Sequence, residues 1–304
     1  MNKEKARQKR LLISAILLSA VFLTGFSLLA LVEKRDKTKK APVPKTEAFT
    51  EEMITETQIS DPYAAALTSE TQTESAQTAT ETWTEQNLER IRSLSAGELA
   101  AFGTIASDSI HHLFYASAVN DTVFARISGI SYTENDNISI SDLSYLKMLY
   151  YGFDGNTYIG EMIVNQKIES DVLSIFKTLY ENQYPIEKMT LIDAYDANDE
   201  LSMEDNNTSA FNYRTIAGSS RLSNHSYGMA IDLNPRYNPY VKTSSDGSVL
   251  CQPENGRPYA DRSREFTYKI DENDLAYRLF TEAGFTWGGS WNSVKDYQHF
   301  EKQD

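Results

Sequence analysis

The chain has 304 residues, 40% of them hydrophobic, which is length for one or two domains with a sizeable core. Its 29 Lys and Arg against 43 Asp and Glu give a net charge of −14, and the residues after Lys40 carry −21 by themselves. Such a field repels phosphate and excludes nucleic acid as a natural partner. One cysteine, Cys251, excludes an internal disulfide framework and any CxxC zinc or redox motif, and there is no Gly-rich phosphate loop.

Residues 1–10 contain Lys3, Lys5, Arg7, Lys9 and Arg10 and precede an uncharged run of 22 residues, Leu11–Val32. About 20 helical residues span a bilayer core, whereas the apolar region of a cleaved signal peptide is usually ~7–15 residues long. A cleaved signal peptide is the alternative, but no clean A-x-A site follows the run and no cysteine stands ready as a lipid anchor. The expectation is a single-pass signal-anchor in the cell membrane. Residues 1–10 would form a cytoplasmic tail, and the C-terminal domain would be extracellular.

Residues 33–85 read as a linker. From Ala41 to Glu85 there are eleven Thr and eight Glu, with no helical or strand period. This composition buries too little apolar surface to offset the entropy of ordering, so an extended acidic tether is expected. From residue 86 the composition becomes globular, with 86–141 an N-terminal extension and 142–304 the main domain. Asn87–Phe102 has Leu88, Ile91, Leu94 and Leu99 roughly in helical period. Val123–Ser131 reads as a strand. Leu143–Tyr151 and Tyr158–Val164, joined by a Gly/Asn/Asp-rich turn, read as a hairpin. Ile168, Val172, Ile175, Phe176 and Leu179 define one helical face over Ile168–Tyr180. Met189–Tyr195 resembles a buried strand, and Leu275–Ala283 a helix stopped by Gly284. Strands and helices mix without regular βαβ alternation, which favours α+β over a doubly wound sheet.

The chemistry concentrates in two segments. In Ser223–Pro235, Met229, Ile231 and Leu233 alternate with Ala230 and Asp232, so Asp232 lies within a strand with an apolar face. A carboxylate there is costly unless a metal or a hydrogen-bonded turn pairs with it. In the second segment, Asp296 stands three residues before His299. Two histidines and one aspartate, His225, Asp232 and His299, make a three-ligand zinc site that leaves the fourth position for water, the arrangement of a catalytic zinc. Asp296 is then available for proton transfer. Arg214 and Arg221 are the nearby cations for a developing oxyanion, with surface charge the plain alternative. A Ser–His nucleophile using Ser223 or Ser226 is disfavoured by the lack of a G-x-S-x-G elbow. Trp287, Trp291, Tyr297 and Phe300 either pack the site floor or stack on a glycan or stem peptide. Gly288 and Gly289 suggest a tight turn that lets backbone approach the substrate.

The spacing S-x-H-x-x-G-x-A-x-D, Ser223 to Asp232, followed by D-x-x-H-F, Asp296 to Phe300, resembles the zinc peptidases of the D-Ala-D-Ala carboxypeptidase type. That family includes D,D-dipeptidases, D,D-carboxypeptidases and phage L-alanyl-D-glutamate endopeptidases. The resemblance covers roughly Tyr150 to Glu301, and Asn207–Arg214 is similar to the stretch before the histidine motif. It implies a Hedgehog/DD-peptidase-like domain, with a central antiparallel sheet flanked by helices. It implies one zinc per chain on His225, Asp232 and His299, with Asp296 as acid/base and Arg214 stabilising the oxyanion or positioning substrate. Arg221, Ser223, Tyr227 and Trp291 are candidate substrate contacts, and peptidoglycan stem peptides the implied substrate. Many relatives carry Glu at the position of Asp296, whereas Asp is the choice of the L-alanyl-D-glutamate endopeptidase branch, which leaves the cleaved bond open. A catalytically silent wall-binding module is the competing function class; retention of Asp296 beside the three ligands speaks for the enzyme. The sequence names no protein partner.

Overall fold

The computed structural model describes residues 85–100 and 107–303. The expected cytoplasmic tail at residues 1–10, the apolar run Leu11–Val32 and nearly all of the expected linker lie outside the described residues. Among the described residues, no helix is long and apolar enough to cross a membrane. The architecture is α+β, and every strand pairing in its sheets is antiparallel.

The first sheet joins β1 (Tyr115–Ala118), β2 (Leu143–Tyr151) and β3 (Thr157–Asn165) in that order. β2 and β3 form the expected hairpin, in register from Leu143 opposite Asn165 to Tyr151 opposite Thr157. Its turn is closed by the Gly152 N–H donating to the Asn156 carbonyl at 2.7 Å, and Asp154 Oδ1 accepts from Asn156 N at 3.1 Å. Helix α2 (Glu169–Glu181) buries Val172, Ile175, Phe176 and Leu179 in the core shared with Leu146, Met148 and Val164. Leu113, Phe114 and Ile91 lie in that same core. Each fully buried aliphatic or aromatic side chain contributes roughly 1.5–3 kcal/mol.

Three local expectations are corrected. Val123–Ser131 is not a strand: α1 (Asp121–Ile127) occupies most of it. Asn120 caps it by accepting from Val123 N at 3.0 Å, and Val123 and Ile127, four residues apart, are both buried. The cap outweighs the β-branched composition. Met189–Tyr195 forms a 3-10 turn over Ile192–Tyr195. Side chains there satisfy backbone groups that a ladder would need: Asn207 Oδ1 accepts from Thr190 N at 2.9 Å, and the chain leaves the turn through Asp196 and Ala197 at φ 54° and 57°. The N-terminal helix covers residues 85–93 and stops well before Leu99, which instead makes a β-bridge to Tyr158. A turn through Gly97, φ +81°, then leads from the helix end to that bridge.

The expected central sheet is divided into three small ones. The second sheet has the order β4 (Ala230–Asp232), β9 (His299–Glu301), β7 (Thr286–Trp287); the third has β6 (Val249–Gln252), β5 (Tyr240–Thr243), β8 (Lys295–Asp296). Strands of two to four residues are too short to continue the long hairpin. Helix α3 (Leu275–Glu282), capped by Asp274, supports the second sheet through Phe280. The Phe280 and Phe300 rings stack at 4.3 Å, and both are fully buried. Phe300 thus fixes β9 from below while its neighbours in the strand, His299 and Glu301, face the other way.

Candidate metal centre and active-site cleft

β4 and β9 pair so that Asp232 lies directly opposite His299. Ser209 holds the other edge of β4, exchanging two backbone hydrogen bonds with Asp232 at 2.9 and 3.1 Å. His225 comes from a 3-10 turn, Asn224–Tyr227, whose N-cap Ser223 accepts from His225 N at 3.3 Å. The turn ends at Gly228 with φ +66°. A Cβ there would stand 2.6 Å from Asn165 N, so only glycine lets this turn pack against the end of β3. That is the physical reason for the glycine three residues after His225.

Donor atoms of three side chains converge. His225 Nε2 is 3.2 Å from His299 Nδ1 and 3.3 Å from Asp232 Oδ2, and His299 Nδ1 is 3.0 Å from Asp232 Oδ1. Zinc bonds of about 2.0–2.1 Å at tetrahedral angles require donors ~3.3 Å apart, and one ligand atom from each of the three side chains lies within 4.8 Å of the others, close enough for one ion to draw them together. Each imidazole has its other nitrogen occupied. His225 Nδ1 meets the Ala210 carbonyl at 2.5 Å, and His299 Nε2 meets Glu301 Oε2 at 3.0 Å. Outer partners of this kind are what metal-ligating histidines use to fix their orientation. The residues present therefore fit a zinc ion.

The electrostatics agree. Burial opposes the charge on Asp232, yet the two imidazoles hold its carboxyl well below the usual range. Burial likewise opposes protonation of His299, but the carboxylates of Asp232 and Glu301 push it up to about 10. A site that so stabilises positive charge between two imidazoles suits a cation.

Asp296 arrives on β8, opposite Tyr240, and stands outside the three-donor cluster. Its Oδ1 accepts from Gln298 Nε2 at 3.1 Å. Burial, reinforced by the negative charge of Asp232, pushes its carboxyl up to about 6. Gly288 permits this placement, since a Cβ there would meet the Asp296 carbonyl at 2.6 Å and His299 Cβ at 3.2 Å. The glycine pair therefore brings backbone close to the β8–β9 strands and to the Trp287 ring, not to the cleft.

A cleft of about 1090 Å³ is lined by the three converging residues together with Arg214, Arg221, Ser223, Tyr227, Trp291 and Asp296. All the candidate site residues read from the sequence thus share one cavity. Arg214 is tied by an ion pair to Asp199, which also accepts from Asn212 Nδ2 at 2.9 Å. Arg221 is exposed at the rim. Trp291 packs at 5.3 Å from the His299 ring and is partly exposed, as a stacking surface for substrate would be. Trp287 and Phe300 are buried and belong to the floor. Ser226 Oγ bonds to Arg214 backbone, and both ring nitrogens of His225 have other partners, so no Ser–His couple forms. Cys251 is buried on β6, its thiol directed at the Pro253 carbonyl.

Sequence reasoning missed Asp199, Glu301 and Asn224. The alternation in His299-Phe300-Glu301 carried a usable signal, because residues two apart in a strand share a face. Asp199 carried none, being far from Arg214 in the chain.

No curated protein and no solved structure matches the chain. Residues 217–302, the stretch carrying His225, Asp232, Asp296 and His299, match the family model described as D-alanyl-D-alanine carboxypeptidase, which supports the resemblance carried by the two-part motif.

Proposed function

We propose that the chain is a zinc-dependent peptidase of peptidoglycan stem peptides, with a Hedgehog/DD-peptidase-like domain outside the cell and a single-pass anchor at Leu11–Val32. The observation that carries the reading is the convergence of His225, Asp232 and His299, whose ligand atoms lie within 4.8 Å of one another, each histidine braced from behind.

His225, Asp232 and His299 would hold one zinc, which when bound lowers the pKa of water to about 7 and polarises a scissile carbonyl. The Asp296 carboxylate, in the same cleft but outside the ligand cluster, takes a proton from the attacking water and returns it to the leaving amine. Burial raises the proton affinity of this carboxyl above that of an exposed aspartate, which suits a group that both takes and returns a proton. Arg214, oriented by Asp199, offers its guanidinium to the developing oxyanion. Arg214 precedes the matched stretch, so this role rests on its place in the cleft. Arg221, Ser223, Tyr227 and Trp291 line the path along which a stem peptide would lie. The family match favours a bond beside D-Ala, and Asp in place of Glu at 296 favours the L-Ala-D-Glu bond.

The test has two parts. Zinc content of the purified full chain is expected at one per chain and lost in His299→Ala; equal content in both rejects the ligand set. Mass spectrometry of products from purified peptidoglycan identifies the bond cut, and unchanged muropeptides under conditions of full zinc loading reject the activity.

A further inference from the structure

We infer that Glu301, held by Asn224, is a positioning residue that decides which nitrogen of His299 faces the metal; the inference rests on the zinc reading above. A neutral imidazole has one N–H and one bare nitrogen, and only the bare nitrogen ligates. Glu301 Oε2 lies 3.0 Å from His299 Nε2, so when a metal replaces the hydrogen on the other nitrogen, Nε2 keeps its own and donates it to the carboxylate. Nδ1 is left to point at Asp232 and at His225 Nε2. His299 and Glu301 are two residues apart in β9, which puts the carboxylate on the same face as the ring it braces.

The carboxylate is itself fixed. Asn224 Nδ2 donates to the same Oε2 at 2.6 Å. Asn224 immediately precedes His225, so a single carboxylate ties the turn that delivers one histidine to the strand that delivers the other. The two ligands differ in how they are braced. His225 leans on the Ala210 carbonyl, a backbone group present whatever the side chain. His299 leans on a side chain that substitution removes, and without it the ring is free to turn over and present the wrong nitrogen. Negative charge behind the ring also makes the ligating nitrogen more basic.

The experiment uses the full chain with 15N-labelled histidine; only four histidines contribute signals. In the zinc-loaded protein His299 is expected to show a metal-bound Nδ1 and a protonated Nε2. Zinc affinity is measured by competition with a chromophoric chelator. Glu301→Ala is expected to weaken it ~10–100-fold, the range for loss of such a brace. Glu301→Gln, whose amide oxygen accepts the same hydrogen bond, is expected to stay within a few fold of wild type, with Asn224→Ala between the two. Zinc held through His299 Nε2 in wild type overturns the inference, as does Glu301→Ala binding zinc within twofold of wild type. Should the Ala variant fail to fold, the wild-type spectrum still decides. A wild type that binds no zinc, or binds it equally with His299→Ala, instead overturns the functional reading on which this one stands.

Discussion

Replacing Asp296 with Asn isolates the proton-transfer step from metal binding. The substitution keeps the shape of the side chain and its oxygen toward Gln298 Nε2, now at 3.1 Å, while removing the ionisable group. Asp296 is outside the cluster of three donors, so zinc content is expected to stay at the wild-type level. Positioned acid–base groups typically contribute ~10²–10⁴-fold, equivalent to roughly 3–5 kcal/mol of barrier, and kcat should fall by that factor. The pH profile sharpens the test. A base acts when ionised, so the wild-type rate climbs as pH rises through the Asp296 pKa. Burial and Asp232 push that carboxyl up to about 6, and a cation at Asp232 draws it down, placing the acidic limb at or below pH 6. Asn has no such limb. The assay is turnover of a purified stem peptide from pH 4.5 to 8 with zinc measured on the same samples. Parallel loss of zinc and activity makes Asp296 a ligand or a brace of His299, and unchanged turnover removes it from the mechanism; either result refutes the reasoning.

Gly228→Ala adds a Cβ 2.6 Å from Asn165 N at φ +66°, a backbone region costing a non-glycine residue ~1–2 kcal/mol before the clash is counted. Denaturant unfolding should show a loss above ~2 kcal/mol together with weaker zinc binding; a neutral substitution would contradict the packing described. Burial opposes the charge of Glu161, but Arg126 and Tyr145 hold its carboxyl below the usual range. A depressed carboxyl stabilises the fold above its unfolded pKa and loses that effect as pH falls through the folded value. Glu161→Gln should therefore cost about 2 kcal/mol at pH 7, and the gap to wild type should close in melting curves as pH falls below the ordinary glutamate range and through the folded-state value. For the anchor, protease added to intact protoplasts should remove the C-terminal domain from membrane-bound protein, whereas full-length chain in the medium, or a protected domain, refutes the topology.

The long hairpin was legible because β2 and β3 are nine-residue strands rich in apolar and aromatic residues around a turn whose residues close it locally. The helix faces of α2 and α3 were legible for the same local reason. Residues 121–127 and 192–195 were misread because a single cap or a few side-chain bonds, such as Asn120 to Val123 and Asn207 to Thr190, overrode composition. At the site, residue types and spacing pointed to His225, Asp232, Asp296 and His299. What the sequence did not disclose was the supporting set: the Ala210 carbonyl, the Asn224–Glu301 link and the Asp199–Arg214 pair. These depend on tertiary placement of segments distant in the chain.

The position of β9 in its sheet has a consequence for how the site comes into being. It is last in chain order among the strands, yet it sits between β4 and β7, with neighbours on both sides. β4 and β7 do not touch each other in the ladder, so neither half of the sheet exists as a paired surface until β9 slots between them. Closing that loop joins residues 67 apart at Asp232 and His299, an entropic cost met only once the hydrophobic face under Phe300 has formed. Assembly of the metal centre is thereby tied to completion of the whole core. Amide hydrogens of His299–Glu301 should exchange only through global unfolding, and added zinc should slow their exchange by the same factor that it raises overall stability.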